Sequence, residues 1–281
     1  MKIGVSTIIT DHSIDVAVLA RRAEELGFDS LWLGEHPIIP VSSTSRYPGS
    51  RDGTLPEAAN RMADPFVALA RASAVTKVIK LGTGVCLIPE HNPLSLAKVI
   101  ASLDHFSRGR FVFGIGAGWN QEETEIMGGN FVHRWSQTHD AIQAMKELWT
   151  KEEAEYHGKY YDFPPVKSFP KPFQKPHPPI LLGGTARNVF KRTVEWGDGW
   201  MPSGSSSEHI KQGRDTLNEL AAQSGRDPRS IQILAYTAPA DREALKAYED
   251  AGADAAVVRV ATASEKEVLA ELEEVAGRVL A

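Results

Sequence analysis

Hydrophobic positions alternate between two patterns along the chain. Short runs such as FVFGI, ILLG and AAVVRV are apolar on both faces, which is typical of strands buried in a parallel sheet. Between them lie longer stretches with apolar residues at helical spacing. The predicted strands cover residues 2–7, 30–36, 79–85, 110–116, 179–184, 198–202, 231–236 and 255–260. Eight successive strand–helix units predict an α/β protein with a (β/α)₈ TIM barrel, in one domain over residues 1–281.

A doubly wound open sheet is the competing architecture. It would need a glycine fingerprint directly after the first strand, and the chain has none there. Several helix ends carry local signals that agree with the barrel. Asp64 is a predicted N-cap followed by Pro65, and Gly27 is a predicted helix stop.

Two segments interrupt the strand–helix rhythm. Pro37–Ala63 forms an extended loop after the second strand, at the barrel end where we expect an active-site lid. Arg46, Tyr47 and Arg51 in this loop are candidates for closing over a substrate, although a solvated loop is the simpler interpretation. Tyr156–Pro179 is an insertion between the fourth predicted helix and the fifth strand, and its YHGKYYDFPPV stretch predicts a small hairpin on the outside.

Composition narrows the class of protein. The net charge of -5, with mixed signs along the chain, favours neither nucleic acid nor an anionic membrane as a partner. The single cysteine, Cys86, excludes an intrachain disulfide and is expected to be a packed residue rather than a nucleophile. No signal peptide and no bilayer-spanning run is found, so we expect a cytoplasmic protein that acts on a small molecule.

Chemistry in such barrels gathers at the carboxyl ends of the strands. Ser6 ends the first strand, and Glu35 and His36 end the second. Histidine is the side chain best suited to move protons, so His36 is the candidate acid or base, while Glu35 can tune it or accept a hydrogen bond from a cofactor. The alternative is a surface ion pair or a structural histidine. The chain lacks histidine–carboxylate metal spacing and a G-x-S-x-G elbow, so we predict no metal site.

Two glycine-rich turns lie at the same barrel end. In LLGGTARN, Gly183 and Gly184 join a strand to a helix with Thr185 at its predicted N-cap, which suits a phosphate; a plain tight turn is the equal alternative. The GIGAG stretch, with Gly114, Gly116 and Gly118, lets another group approach the backbone closely.

Four segments carry a family resemblance: AEELGFDSLWLGEH, IKLGTGV, NPLSLAKVIASLDHFSRGRFVFGIGAGWNQEE and PPILLGGTARNVFKRTVEWGDGWMP. Over residues 1 to about 202 they resemble the bacterial luciferase-like family of flavin and deazaflavin oxidoreductases, and most closely its coenzyme F420-dependent branch. The resemblance implies a tricyclic ring across the barrel mouth with its phosphate-bearing tail running outward. The implied cofactor contacts are Glu35, Thr83, Gly84, Val85, Gly116, Ala117, Gly118, Asn120, Gly183, Gly184 and Thr185.

The resemblance also implies roles for individual residues. His36 would be the catalytic acid or base near the reactive C5 of the ring, and Glu35 would contact the ring edge. The family often has a non-proline cis peptide at the end of the third strand, where Gly84–Val85 stands here. Sugar-phosphate dehydrogenases of the branch place a carboxylic acid at the position of Trp119. An indole offers an apolar wall instead, so Trp119 and Ser6 are expected to face an apolar or aromatic substrate.

The leading hypothesis is therefore an F420-dependent oxidoreductase that transfers a hydride between C5 and a small organic substrate. An FMN-dependent monooxygenase on the same scaffold is the alternative, and a non-catalytic flavin-binding protein is a third. By the same resemblance a homodimer would form through the second and third helices, where FVALARASAV is apolar enough to contribute.

Overall fold

The computed structural model describes residues 1–50 and 52–280, so Arg51 lies outside the described residues. The strands are β1 (Lys2–Ser6), β2 (Ser30–Leu33), β3 (Lys80–Thr83), β4 (Cys86–Leu87), β5 (Phe111–Gly116), β6 (Ala154–His157), β7 (Asp162–Val166), β8 (Ile180–Gly183), β9 (Gly199–Met201), β10 (Gln232–Ala238) and β11 (Ala255–Arg259). Parallel pairing runs β3-β2-β1-β11-β10-β9-β8-β5, and a further β3–β5 pairing closes the ring. The (β/α)₈ barrel is confirmed.

Helices surround this ring. They are α1 (Val16–Leu26), α2 (Pro65–Val75), α3 (Pro93–Phe106), α4 (Gln121–Ile126), α5 (Arg134–Thr150), α6 (Val189–Trp196), α7 (Ser207–Gln223), α8 (Arg242–Asp250) and α9 (Glu265–Val279). The side chain of Asp64 accepts a hydrogen bond from the Val67 amide, and Gly27 ends α1 at a φ of 94°, as predicted. The short α4 was not predicted. No helix within the described residues is long and apolar enough to cross a membrane.

Two apolar layers hold the barrel together. Trp32, Met201 and Val257 belong to a small cluster that fills the ring, whereas Leu31 and Leu33 join the larger core under the helices. Along β2, alternate residues therefore point inward and outward, as the pleat of a strand requires. This alternation decides which side chains reach the barrel mouth.

The two irregular segments behave differently. Within the insertion, β6 and β7 pair antiparallel, which confirms the predicted hairpin. The loop after β2 contains a 3₁₀ turn over Glu57–Arg61.

The third predicted strand is divided, because β3 ends at Thr83 and β4 resumes at Cys86. The peptide bond between them, Gly84–Val85, is cis, as the family resemblance implied.

Gly114 in β5 lies where two strands meet closely. A Cβ there would overlap the carbonyl oxygen of Thr83 and lie 2.8 Å from Cε of Met201. Backbone atoms cannot yield as a flexible side chain can, so Gly114→Ala is expected to lower the free energy of unfolding by about 1–3 kcal/mol. Urea denaturation would measure this. Gly277→Ala is the control, because its Cβ would meet no atom within 4 Å, and equal stability of the two variants would contradict the prediction.

Candidate active site

His36 is held between two side chains at the carboxyl end of the barrel. Its Nδ1 lies 2.7 Å from Oε2 of Glu123, and the indole Nε1–H of Trp119 donates to its Nε2 at 3.3 Å. The His36 and Trp119 rings meet edge to face, with centroids 5.6 Å apart. The side chains of His36 and Glu123 are 7% and 1% exposed, so bulk water is largely kept from this pair.

The hydrogen bonds assign the tautomer of a neutral His36. Because an indole N–H can only donate, Nε2 must accept, and the ring proton is then on Nδ1, where it is donated to the Glu123 carboxylate. A carboxylate that fixes one ring nitrogen leaves the other free for proton transfer. The arrangement can therefore deliver or receive a proton at Nε2, on the side of Trp119.

Glu35 has a different environment from the one predicted. Its Oε2 accepts a hydrogen bond from the Leu87 amide at 2.7 Å, and its Oε1 lies 2.9 Å from Nε2 of His91. Glu35 follows Leu31 and Leu33 in the outward register of β2, so its side chain is buried behind the barrel wall. Both carboxylate oxygens are thus engaged within the protein and position the segment after β4, and the contact of Glu35 with a ring edge stays a prediction.

Glu35, Cys86 and His91 each place one potential ligand atom within 4.8 Å of the others. Burial raises the pKa of the Cys86 thiol, which disfavours the thiolate that a metal would need. Burial has the largest single effect on the pKa of His91 and lowers it, but the hydrogen bond to Glu35 and the charges of Glu35 and Asp64 together raise that pKa. Both oxygens of Glu35 are already engaged, so we assign this group a structural role.

The inward glycines of β5 and β8 make room for protein atoms. A Cβ on Gly116 would lie 2.7 Å from Cγ2 of Val85, and one on Gly183 would lie 2.8 Å from its Cγ1. Val85 thus occupies the space between these two strands. A Cβ on Gly118, whose φ is 82°, would lie 2.8 Å from Oγ1 of Thr124. These contacts explain the glycines without a ligand, so their contact with a cofactor stays a prediction.

The turn after β8 is exposed from Gly184 to Asn188. Helix α6 begins at Val189 with Asn188 at its N-cap position, so the predicted N-cap role of Thr185 is wrong. Gly184 has a φ of 94°, and a Cβ there would meet no atom within 4 Å. The exposed Arg187 in the same turn was not singled out in the sequence, and it adds a positive charge to that turn.

Other predicted site residues are occupied within the protein. Thr83 is buried and donates to the Gly114 carbonyl at 2.8 Å, which ties β3 to β5. Asn120 caps α4 by accepting from the Glu123 amide at 3.2 Å, and this places Glu123 under His36. Ser6 donates weakly to the Val258 carbonyl at 3.4 Å. Ala117 is buried at the end of β5.

Two buried acids near His36 were missed by the sequence analysis. Glu123 lies in the unpredicted α4, and Glu90 follows β4; they are 1% and 4% exposed. Oγ1 of Thr124 donates to Oε1 of Glu90 at 3.0 Å. Burial, reinforced by the charges of Glu123 and Glu35 and opposed by the Thr124 hydrogen bond, raises the pKa of Glu90 to about 8. The signal available was GWNQEE directly after a strand end, where Asn120 is a typical helix cap.

The long loop is fastened over the site by Glu122. Its carboxylate accepts hydrogen bonds from the Thr44 amide at 2.6 Å and from the hydroxyls of Ser43 and Ser45 at 3.0 and 2.7 Å. These bonds, led by the one from the Thr44 amide, hold the pKa of Glu122 well below its usual range. The same loop places the ring of Tyr47 5.4 Å from that of Trp119. The loop therefore has the position expected of a lid.

We expect Glu122→Ala to free this loop, because several hydrogen bonds converge on that single carboxylate. Cleavage between residues 40 and 50 by a low dose of protease should become several-fold faster, because the loop opens locally without unfolding of the barrel. Glu125→Ala on the same helix is the matched control. Equal cleavage of the two variants would show that Glu122 does not hold the loop.

Comparison with known proteins agrees with this geometry. The family model described as luciferase-like monooxygenase matches residues 9–279. An uncharacterized protein of Mycobacterium tuberculosis, Rv0953c, is 40% identical over 230 residues, or 81% of this chain and 80% of the relative. The F420-dependent glucose-6-phosphate dehydrogenase of Amycolatopsis mediterranei is 29% identical over 251 residues, or 84% of this chain and 68% of the enzyme.

A solved structure shows the same fold. The oxygenating constituent of 3,6-diketocamphane monooxygenase from Pseudomonas putida, a type II Baeyer-Villiger monooxygenase in complex with FMN, superposes with a TM-score of 0.66. The match covers 86% of this chain and 69% of that one at 20% identity. The family thus includes F420-dependent and FMN-dependent relatives. The match over nearly the whole chain, on a closed barrel, establishes that this protein belongs to the luciferase-like monooxygenase family.

Proposed function

We propose that the chain is an F420-dependent oxidoreductase that transfers a hydride between the coenzyme and a small apolar or aromatic substrate. The observation that carries this proposal is the position of His36, with Nδ1 bound to a buried carboxylate and Nε2 directed to the barrel mouth. The similarity to an F420-dependent dehydrogenase over 84% of the chain supports the choice of coenzyme.

The exposed turn after β8 fits the phosphate of such a coenzyme. Gly184 leaves open space above its backbone, and Thr185 and Arg187 offer a hydroxyl and a guanidinium. Amides just before a helix and a nearby cation are the donors that a phosphate needs. When bound, the deazaflavin supplies hydride chemistry at its C5.

His36 handles the accompanying proton in this proposal. The Glu123 carboxylate keeps Nδ1 protonated and fixes the plane of the ring, so Nε2 alone exchanges a proton with the substrate. The indole N–H of Trp119 occupies the position where a substrate oxygen would hydrogen-bond to His36. A substrate would displace that contact and lie against the indole.

The surroundings of His36 favour an apolar substrate. Trp119 and Tyr47 present aromatic surfaces 5.4 Å apart at their centroids. The indole of Trp119 cannot transfer a proton as a carboxylic acid would, which argues against a sugar phosphate as substrate. Aromatic walls bind flat apolar molecules well because they bury large areas with little loss of entropy.

FMN-dependent monooxygenase chemistry is the alternative. The family's description and the FMN complex of a relative favour it. The same turn after β8 would hold the FMN phosphate, and His36 would again be the group that moves a proton beside the ring.

A binding titration with oxidised F420 and with FMN separates the two. Binding of F420 alone at micromolar or lower concentration would support the proposal, a preference for FMN would replace it by the alternative, and binding of neither would overturn both.

Thr185→Asp should weaken binding of either coenzyme at least tenfold, because it adds a negative charge beside the phosphate. Thr185→Ser is the matched control and should bind normally.

We also propose a homodimer through α2 and α3. Val67 on α2 and Val99 and Phe106 on α3 are 72%, 41% and 73% exposed, which leaves apolar surface on two adjacent helices. Sedimentation at micromolar concentration tests this, and a monomer mass would contradict it.

A further inference from the structure

Glu90 and Glu123 form a pair of buried acids beneath His36. Each has one oxygen with a known role: Oε1 of Glu90 accepts from Thr124, and Oε2 of Glu123 accepts from His36. The other oxygen of each, Oε2 of Glu90 and Oε1 of Glu123, is fully buried with no hydrogen-bond partner within the described residues. A buried carboxylate oxygen without a donor is costly, so this arrangement does not fit two negative charges.

The two acids are not equivalent. Glu123 faces a ring nitrogen that can carry positive charge, whereas Glu90 makes no ion pair among residues 1–50 and 52–280. Within the described residues, its side chain has one hydrogen-bond partner, the neutral hydroxyl of Thr124. Two acids packed together ionise in sequence, and the one without a cation keeps its proton. The negative charge of Glu35 also acts on Glu90 and, like that of Glu123, disfavours the ionisation of Glu90.

We propose that Glu90 is a neutral carboxylic acid at neutral pH, so that the pair places a single negative charge, on Glu123, beneath His36. Glu90 then acts through Glu123 as a positioning residue. With two charges, the imidazolium form of His36 would be held too firmly to release a proton. With one charge, His36 can change its protonation state during turnover. The importance for turnover rests on the proposed function, but the protonation of Glu90 does not.

Infrared spectroscopy of the protein without coenzyme tests the protonation directly. The spectrum at pH 7 should contain the C=O stretching band of a protonated carboxylic acid, and Glu90→Gln should remove it. Glu122→Gln, at a half-buried position, is the matched control and should leave the band unchanged. A wild-type spectrum without the band, or a band that persists in Glu90→Gln, would overturn the proposal.

A further readout does not depend on that variant folding normally. In the wild-type protein the acid band should fade as pH rises through about 8, the pKa of Glu90. A failed coenzyme titration would leave these results intact, so the two proposals fail separately.

Discussion

His36→Ala is expected to lower turnover about 10²- to 10⁴-fold while the affinity for coenzyme stays close to that of the wild-type protein. The reason is the position of Nε2, which accepts the indole N–H of Trp119 and can therefore exchange a proton with a substrate that displaces this contact. The coenzyme phosphate is proposed to bind elsewhere, at Gly184 and Thr185, so its binding energy should survive the substitution. Steady-state rates with saturating coenzyme, together with a binding titration, would measure both quantities.

Glu123→Gln provides a graded comparison. An amide still occupies the space beside Nδ1 of His36 but carries no charge, so it fixes the tautomer less well and stabilises the imidazolium less. Turnover should fall less than in His36→Ala, and the double variant should be no worse than His36→Ala alone because the two residues act as one unit. Full turnover by His36→Ala with bound coenzyme would refute the role of His36.

The barrel was predictable because its signal is repeated. Runs such as FVFGI and AAVVRV are buried on both faces and recur with helices between them, so an error at one boundary does not alter the count. The division of the third strand at Gly84–Val85 could not be derived from hydrophobicity, since residues 79–85 have the composition of one continuous strand. Only the resemblance to a family implied it.

The candidate site was predictable in part. His36 could be placed at the mouth because it ends a strand, but the adjacent Glu35 could not be separated from it without the register of β2. Trp32 fills the barrel, so His36, four residues on, points inward and Glu35 outward. The true partner of His36, Glu123, is 87 residues away in sequence. A contact of that separation depends on how α4 folds back over the mouth, which local patterns do not specify.

The glycines at residues 114–118 show a further limit of sequence patterns. A lack of side chains indicates that something approaches the backbone, but it does not say what. The approaching groups are the Thr83 carbonyl at Gly114, the side chain of Val85 at Gly116 and the hydroxyl of Thr124 at Gly118. Each of them comes from another segment of the same chain.

The stability of the wild-type protein is expected to fall between pH 5 and 8 relative to that of Glu90→Gln. Burial raises the pKa of Glu90 to about 8 from an ordinary 4.5, so in this range the native state holds a proton that the unfolded chain has released. The native state then binds more protons, and the free energy of unfolding decreases with pH by up to about 1.4 kcal/mol per unit. This contribution is complete below pH 4.5 and is lost as pH passes 8. Glutamine does not titrate, so Glu90→Gln lacks that slope.

Urea denaturation at pH 5, 6, 7 and 8 would measure the difference. The wild-type protein should lose a few kcal/mol relative to Glu90→Gln across the series, because the slope of about 1.4 kcal/mol per unit acts over most of that range. Glu122→Gln is the control: the pKa of Glu122 is lowered, so its contribution changes only in more acidic solution and should leave the slope between pH 5 and 8 as in the wild type. Parallel curves for the wild type and Glu90→Gln would mean that Glu90 is ionised in the native state. The proposal that the pair carries a single negative charge beneath His36 would then be wrong.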